Sequence, residues 1–475
     1  RDRLRSRGLG DVYKRQVEKD YATVSLQTTI ENAGQEELTV VTDIVSPDGK
    51  VVASDTHKRR IFHQQPFEQH LTVPAPLLWS PETPHLYRAD TRIYAGGRLQ
   101  DSYSTRFGIR TVEIVPHKGF FLNGKRRKFQ GVCNHHDLGP LGAAVNEAAL
   151  RHQLTLLKDM GCDAIRTAHN MPAPELVRLC DEMGFMMMIE PFDEWDIAKC
   201  ENGYHRYFKE WAERDMVNML RQYRNHPCVV MWSIGNEVLE QWTDAKADTL
   251  SLAEANLVLN FGHSADMLAK DGEMSVNSLL TKKLADMVRK LDATRPVTAG
   301  CNEPNPNNHL FRSGALDIIG FNYHDDWFAG VPVNFPGKPF IVTESVSGLM
   351  TRGYYRMPSD SMFIWPERWD KPFYDASFSC SSYDNCHVPW GNRHEGTMRH
   401  VKNNDFISGQ YVWTGFDYIG EPTPYGWPAR SSYFGIIDLA GFPKDVYYMY
   451  QSEWRPDKAV SVSYTHLTLP TKLEV

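Results

Sequence analysis

A chain of 475 residues is longer than one ordinary core organises, and length alone suggests about two or three domains. Its 52 basic and 59 acidic side chains leave a formal charge of −7, which argues against nucleic acid or another polyanion as partner. Hydrophobic content of 41% and charged content of 23% are ordinary globular values, and no apolar run approaches the ~18 residues of a membrane span. Aromatic residues reach 12%, with 12 Trp and 21 Tyr, enough to offer flat faces to sugar rings beyond those that fill a core.

The eight cysteines are scattered without a C-x-x-C pair and read as buried thiols; only Cys380 and Cys386 lie close enough in one loop to suggest a disulfide. The two ends, 1–16 and 461–475, match nothing around them. They resemble translated adaptor segments and are set aside from the fold, so the native gene is expected to be longer at both ends. The compartment stays open between cytoplasm and periplasm, and a homo-oligomer is compatible with the composition.

From Val17 to about Val115 apolar and polar residues alternate, as in Ala22 to Thr28, Leu38 to Val45 and Lys50 to Ala53, with turn signals at Asn32-Ala33-Gly34 and Pro47-Asp48-Gly49. Short strands at this spacing predict an immunoglobulin-like β-sandwich over 17–115. A carbohydrate-binding module is the functional alternative, but no cluster of exposed aromatics supports it. Leu78 to Tyr87 reads as a corner of the sandwich.

Over 116–460 the period changes to buried strands alternating with amphipathic helices. Strands are expected at Lys128 to His136, Ala164 to Thr167, Met186 to Pro191, Val229 to Glu237, Pro296 to Cys301, Ile318 to Tyr323, Pro339 to Ser345 and Gln410 to Asp417. Helices are expected at Asn146 to Met160, Ala173 to Met183, His205 to Arg224 and Ser275 to Leu291. Eight such repeats predict a (β/α)8 TIM barrel. No G-x-G-x-x-G follows the first strand, so a dinucleotide cofactor has no motif, and none other is expected. The aromatic-rich stretch Leu349 to Arg393 is too long for a simple connection and reads as an ordered lid or cleft wall.

Two strands end in a glutamate: Val229 to Glu237 and Pro339 to Glu344. In a parallel barrel the strand C-termini form one rim, and the fourth and seventh strands lie on opposite sides of it. Two carboxyls there can reach the ~5 Å separation of a retaining glycosidase, which uses one as acid/base and the other as nucleophile. Other rim positions carry sugar-binding chemistry: His135 and His136, Arg166, His169-Asn170, Glu190 and Asp193, Asn322-Tyr323-His324, Trp413 and Asp417. His135, His136, His169 and Glu190 could bind zinc by type, but they come from three strands and lack H-E-x-x-H spacing, so no metal site is expected.

In order along the chain, the carriers of a family likeness are Phe107-Gly108-Ile109-Arg110, Phe121-Leu122-Asn123-Gly124-Lys125, Gly131 to His136, Ile165 to Asn170, Trp232 to Glu237 and Val342-Thr343-Glu344. Together they resemble glycoside hydrolase family 2, the family of bacterial β-galactosidases and β-glucuronidases, over Val17 to about Trp454. The resemblance implies a retaining exo-β-glycosidase acting on a carbohydrate, with Glu237 as acid/base, Glu344 as nucleophile and Asn236 holding the 2-hydroxyl. It also implies that His135, Arg166, His169, Tyr323 and Trp413 bind substrate. Members usually carry a jelly-roll domain ahead of the sandwich that lends a loop to the active-site edge; it is missing here, so this chain is expected to be weakly active or inactive by itself. The Asn-x-Lys that holds the sugar carboxylate in β-glucuronidases is missing after the eighth strand, where only Lys444 follows Phe442-Pro443. A neutral sugar, most often galactose, is therefore favoured over a glucuronide or galacturonide. The magnesium of the best-known members is held partly by Glu-x-His at the third strand, whereas this chain has Glu190-Pro191-Phe192. A barrel that binds sugar without hydrolysing it is the alternative of a different class.

Overall fold

The computed structural model describes residues 11–457 except 18–19, 33–35, 244–264, 271, 273 and 369–370. Residues 1–10 and 461–475 of the expected adaptor segments lie outside it. Asp11 to Gln16, set aside with them on sequence, fall within a strand, so the sandwich begins earlier than expected.

The first domain has seven strands: β1 Asp11–Val17, β2 Tyr21–Asn32, β3 Glu37–Val45, β4 Val51–Arg60, β5 His63–Pro74, β6 Tyr87–Ala95 and β7 Arg98–Phe107. They form antiparallel sheets in the orders β1-β2-β5 and β4-β3-β6-β7. Alternation drives the pairing of the sheets. Val24 and Leu26 of β2 and Leu71 and Val73 of β5 bury against Ile44 of β3 and Tyr87 and Ala89 of β6.

A small antiparallel sheet follows, with β8 Val112–Val115, β9 Gly119–Leu122 and β10 Lys125–Arg127. The β9–β10 hairpin turns on Asn123 and Gly124, both at positive φ (52° and 73°), the backbone a two-residue Asn-Gly turn requires. Phe120 of β9 stacks on Phe129 with ring centroids 4.2 Å apart, so this sheet packs against the N-terminal end of the barrel.

The barrel strands are β11 Phe129–His135, β12 Ala164–Ala168, β13 Met186–Ile189, β14 Val229–Asn236, β15 Val297–Gly300, β16 Ile319–Asn322 and β17 Phe340–Val346. After the short β18 Phe363–Ile364 and β19 Cys386–His387 comes the eighth, β20 Ile407–Trp413. They pair in the order β15-β14-β13-β12-β11-β20-β17-β16, and a bridge between Cys301 and Phe321 joins the two ends of the sheet. Strands walled in on both faces read as unbroken apolar runs, which is why all eight were legible; β13, β14, β17 and β20 are buried at every residue. The eighth departs most from expectation: Gly409 at φ 138° reads as a breaker but continues the strand, and Thr414 to Asp417 leave it.

Helices at Glu147–Met160, Pro174–Met183, His205–Tyr223 and Val276–Leu291 agree with the expected periodicity. Asn146 and Ser275 cap two of them, accepting hydrogen bonds from the backbone N–H of Ala149 and Ser278. Cys380 and Cys386 are buried and free, not bridged. Burial, and then the adjacent Cys386 sulfur, raise the Cys380 thiol well above its ordinary range, which disfavours the thiolate that disulfide formation needs.

Leu78 to Tyr87 does more than turn a corner. Trp79 is fully buried and its indole N–H donates to the Asp181 carbonyl at 3.0 Å, seating the sandwich on the barrel. Beside it, buried Arg110 donates to the carbonyls of Pro227 and Val229, at the start of β14. Arg110→Ala would leave both carbonyls without these donors inside the joint, and should destabilise the protein by about 2–4 kcal/mol. Thermal unfolding checks this; an unchanged midpoint would mean that the joint carries little of the fold's stability.

Candidate active site

The rim of β11 to β20 opens into a cavity of about 900 Å³. Its lining includes Glu237, Glu344, Asn236, His135, His169, Tyr323 and Trp413, so seven of the eight site residues expected from sequence share one space. The eighth, Arg166, is fully buried and does not line the cavity, which corrects its expected contact with substrate. Instead it forms the site's foundation. One guanidinium nitrogen donates to Glu344 Oε1 at 2.7 Å; the other donates to both Glu190 oxygens at 2.8 and 2.9 Å and to Asn236 Oδ1 at 2.8 Å.

Glu344 is positioned from two further sides. Tyr323 O–H donates to its Oε2 at 2.7 Å, and Ser347 donates in turn to the Tyr323 oxygen at 2.9 Å. The Glu344 backbone carbonyl accepts the Tyr323 N–H at 2.8 Å, which locks the ends of β16 and β17 together. Burial, and then the Glu344 and Glu237 carboxyls, raise the Tyr323 phenol far above its usual range, so it stays a donor.

Glu237 is held more lightly. Its Oε1 accepts the Asn322 amide at 2.9 Å, and no cation bonds to it among the described residues. Burial, then the Glu344 carboxylate, push its carboxyl up to about 7. The two carboxyls therefore differ by environment: one is bonded to a guanidinium and a phenol, the other keeps a proton near neutrality.

Asn236 fits between them. Its Oδ1 also accepts the Asn322 amide at 2.9 Å, and its Nδ2 donates to Asp193 at 3.0 Å. This crowding needs Gly300, where an added Cβ would come within 2.6 Å of the Arg166 guanidinium and 2.9 Å of Asn322 Oδ1. Several rim residues that are not glycine have positive φ: Glu237 (42°), Tyr323 (59°), His324 (54°), Val346 (77°), Ser347 (55°) and Glu421 (43°). Backbone strain of this kind persists where surrounding packing over-determines it, typically at functional sites.

His169 bonds Glu190 at 2.7 Å, and its ring stacks on Trp413 with centroids 5.4 Å apart and planes 3° apart. His135 sits edge-on to both rings. Burial, then His169, lower the His135 imidazole to about 3, so it is neutral. Of the other rim candidates, Asp193 and His324 line the cavity, whereas Glu190 and Asn322 lie buried beneath it. His136 turns to the Ala143 carbonyl and Asp417 pairs with Lys444, so these two and Asn170 are absent from the lining.

Sequence reading missed Lys199, Glu303 and Glu421. Each lies on an irregular segment after a strand, beyond the reach of periodicity. Leu349 to Arg393 supplies Pro366, Lys371 and Trp390, and so forms a cavity wall, as its aromatic content suggested. A divalent cation does not fit at Glu190: its oxygens are already bonded by Arg166, His169 and Ser233, and Phe192 stands where a histidine would be needed.

Residues 112–367 match the TIM barrel domain of glycosyl hydrolases family 2, and residues 11–110 match the domain described as glycosyl hydrolases family 2. The chain belongs to this family. It is 61% identical over 454 residues to β-galactosidase BoGH2A of Bacteroides ovatus, covering 95% of this chain and 53% of that protein. A β-glucuronidase of Bacteroides fragilis is 23% identical over 402 residues, with 81% and 50% covered. Among solved structures, a β-glycosidase from Bacteroides vulgatus superposes with a TM-score of 0.76 at 32% identity, over 94% of this chain and 54% of that one. The chain thus spans about half the length of these relatives.

The raised Glu237 value has a stability consequence with a definite sign. A carboxyl whose folded value exceeds its unfolded one opposes folding once pH climbs through that interval, from 4.5 to about 7. Glu237→Gln removes the opposition, and should stabilise the fold by about 1–3 kcal/mol near pH ~8 with little effect near pH ~4. Urea unfolding of both proteins at the two pH values tests it; a gap that does not change with pH would contradict it.

Proposed function

We propose that the protein hydrolyses terminal β-galactosides with retention of configuration. The observation that carries this reading is the pair of unlike carboxyls, Glu237 and Glu344, at the ends of β14 and β17 in one cavity. Glu344, oriented by the Arg166 guanidinium and the Tyr323 hydroxyl, attacks the anomeric carbon; the glycosidic C–O bond breaks as Glu237 delivers its proton to the leaving oxygen. The Glu237 carboxylate so formed then takes a proton from water, whose oxygen displaces Glu344 and restores both groups. Asn236 offers its amide to the 2-hydroxyl. Trp413 and the two histidines form the wall on which the ring rests.

Galactose rather than a uronic acid is supported by the fate of Lys444. That lysine, which follows the eighth strand, is 1% exposed, is paired with Asp417 at 2.7 Å and is absent from the cavity lining. A relative named as a β-galactosidase, 61% identical, points the same way. The glucuronide or galacturonide reading has one observation in its favour, a further lysine, Lys371, in the cavity wall.

Glu344→Gln should lower kcat on an aryl β-galactoside by about a thousandfold or more, the scale expected for losing a reacting group. With azide, Glu237→Ala should form the β-glycosyl azide, by attack on the glycosyl-enzyme that needs no base, and Glu344→Ala the α-glycosyl azide, by direct attack as the aryl group leaves, so the anomer produced tells the two roles apart. Parallel assays on galactoside, glucuronide and galacturonide identify the sugar. Sugar binding with no turnover of any of them would instead favour a binding protein.

A further inference from the structure

Lys199 is a lysine inside the cavity whose ammonium is fully used by the protein. Its side chain is 11% exposed, and Nζ donates to Asp193 Oδ1 at 2.7 Å, to the Asp193 carbonyl at 3.0 Å and to the Asn236 carbonyl at 3.2 Å. An ammonium has three N–H bonds, so none remains for a substrate. Its effect therefore passes through the residues it holds.

Both partners belong to the site. The Asn236 carbonyl is part of the peptide bond leading into Glu237. Asp193 Oδ1 accepts the Asn236 side-chain amide as well as the ammonium, while the amide oxygen is fixed by Arg166 and Asn322. The Asn236 amide is thus pinned at both ends, with one N–H left over for a ligand. Asp193 can do this only as a carboxylate: burial is the largest single influence and opposes ionisation, but the charges of Lys199 and His169 and the hydrogen bonds from Lys199 and Asn236 together outweigh it and hold the group well below the ordinary carboxylate range.

We propose that Lys199 is a positioning residue of the reaction, fixing the Asn236 amide and the main chain into Glu237 while placing a permanent positive charge beside the acid. The inference rests on the reading of Glu237 as acid/base. Other charged and titratable groups face the same space: Glu344 from β17, His169 and the underlying Arg166 from β12, and Asp193 after β13. His135 ends β11, Glu303 follows β15, Tyr323 and His324 follow β16, Lys371 lies between β18 and β19, and Glu421 follows β20. Arg166 is committed to Glu190, Glu344 and Asn236, and of the cations around the cavity, Lys371 in its wall included, Lys199 is the one that draws most on Glu237. Burial and Glu344 raise the Glu237 carboxyl; Lys199 draws it down.

The test is the pH profile of kcat/KM on an aryl β-galactoside and its 2-deoxy analogue, for the parent and for Lys199→Met and Lys199→Arg. The high-pH limb reports loss of the acid's proton. In Lys199→Met that limb should move up by about half a pH unit or more as the cation is lost. kcat on the galactoside should fall about tenfold or more, and less on the 2-deoxy analogue, where Asn236 has no hydroxyl to hold. Lys199→Arg keeps the charge and should keep the limb; it also carries the test if the Met variant fails to fold by circular dichroism, since a displaced limb in the Arg variant would then overturn the proposal. An equal loss on both substrates with an unmoved limb in Lys199→Met would likewise overturn it. All variants are made in a protein extended to the length of its relatives, and if that parent hydrolyses no glycoside it is the reading of Glu237 that fails, not the role of Lys199.

Discussion

One guanidinium holds this active site together. Arg166 is fully buried, and without its charge the buried carboxyls of Glu190 and Glu344 would both lose their guanidinium partner. A buried ion pair gains little over a well-packed apolar core, but a buried charge stripped of its partner is strongly destabilising. The network is therefore better explained by what it arranges than by the stability it adds. Because the same guanidinium also bonds Asn236, the strands carrying Arg166, Glu190, Asn236 and Glu344 are fixed relative to one another by a single planar group.

That arrangement separates the roles of the carboxyls. Glu190 and Glu344 take the guanidinium, Asp193 takes Lys199, and Glu237 has an amide for company. With Arg166 and Lys199 bonded to other carboxylates, Glu237 is left as a favourable place for a proton. The proposed reaction fits this allocation: the group that would attack is bonded to a guanidinium, and the group that would give a proton is denied a salt bridge. Two of the residues on the strained rim, Glu237 and Tyr323, touch this allocation directly. Fixing their backbone at positive φ removes the freedom that would otherwise be lost on binding.

Strand positions and strand-end chemistry were legible because barrel strands are buried on both faces, and such runs stand out without any alignment. The helix starts at Asn146 and Ser275 were legible for a different reason, since a capping side chain carries its own signal. Arg166 was found but misplaced. Strand periodicity says that a residue lies at the rim; it does not say whether a long side chain lies under the floor or above it. Lys199, Glu303 and Glu421 were invisible for want of any period, and Trp79 was taken for a turn because a contact with Asp181, about a hundred residues on, leaves no local trace.

The balance of charge in the cavity bears on which sugar the proposed reaction would take. Asp193, Glu237, Glu303, Glu344 and Glu421 all line it, against the lysines Lys199 and Lys371, and Lys199 is spent on Asp193. Even with Glu237 protonated, a uronate would bring another carboxylate into a space already dominated by acids, at the low dielectric where like charges repel most. Burial, moreover, pushes Glu421 up to about 7, as does its neighbour Glu344, while the Tyr418 hydroxyl it accepts draws it down. A cavity that keeps two carboxyls near neutrality is short of positive charge. Such a wall suits hydroxyl groups, which can donate to these acids, far better than it suits an anion.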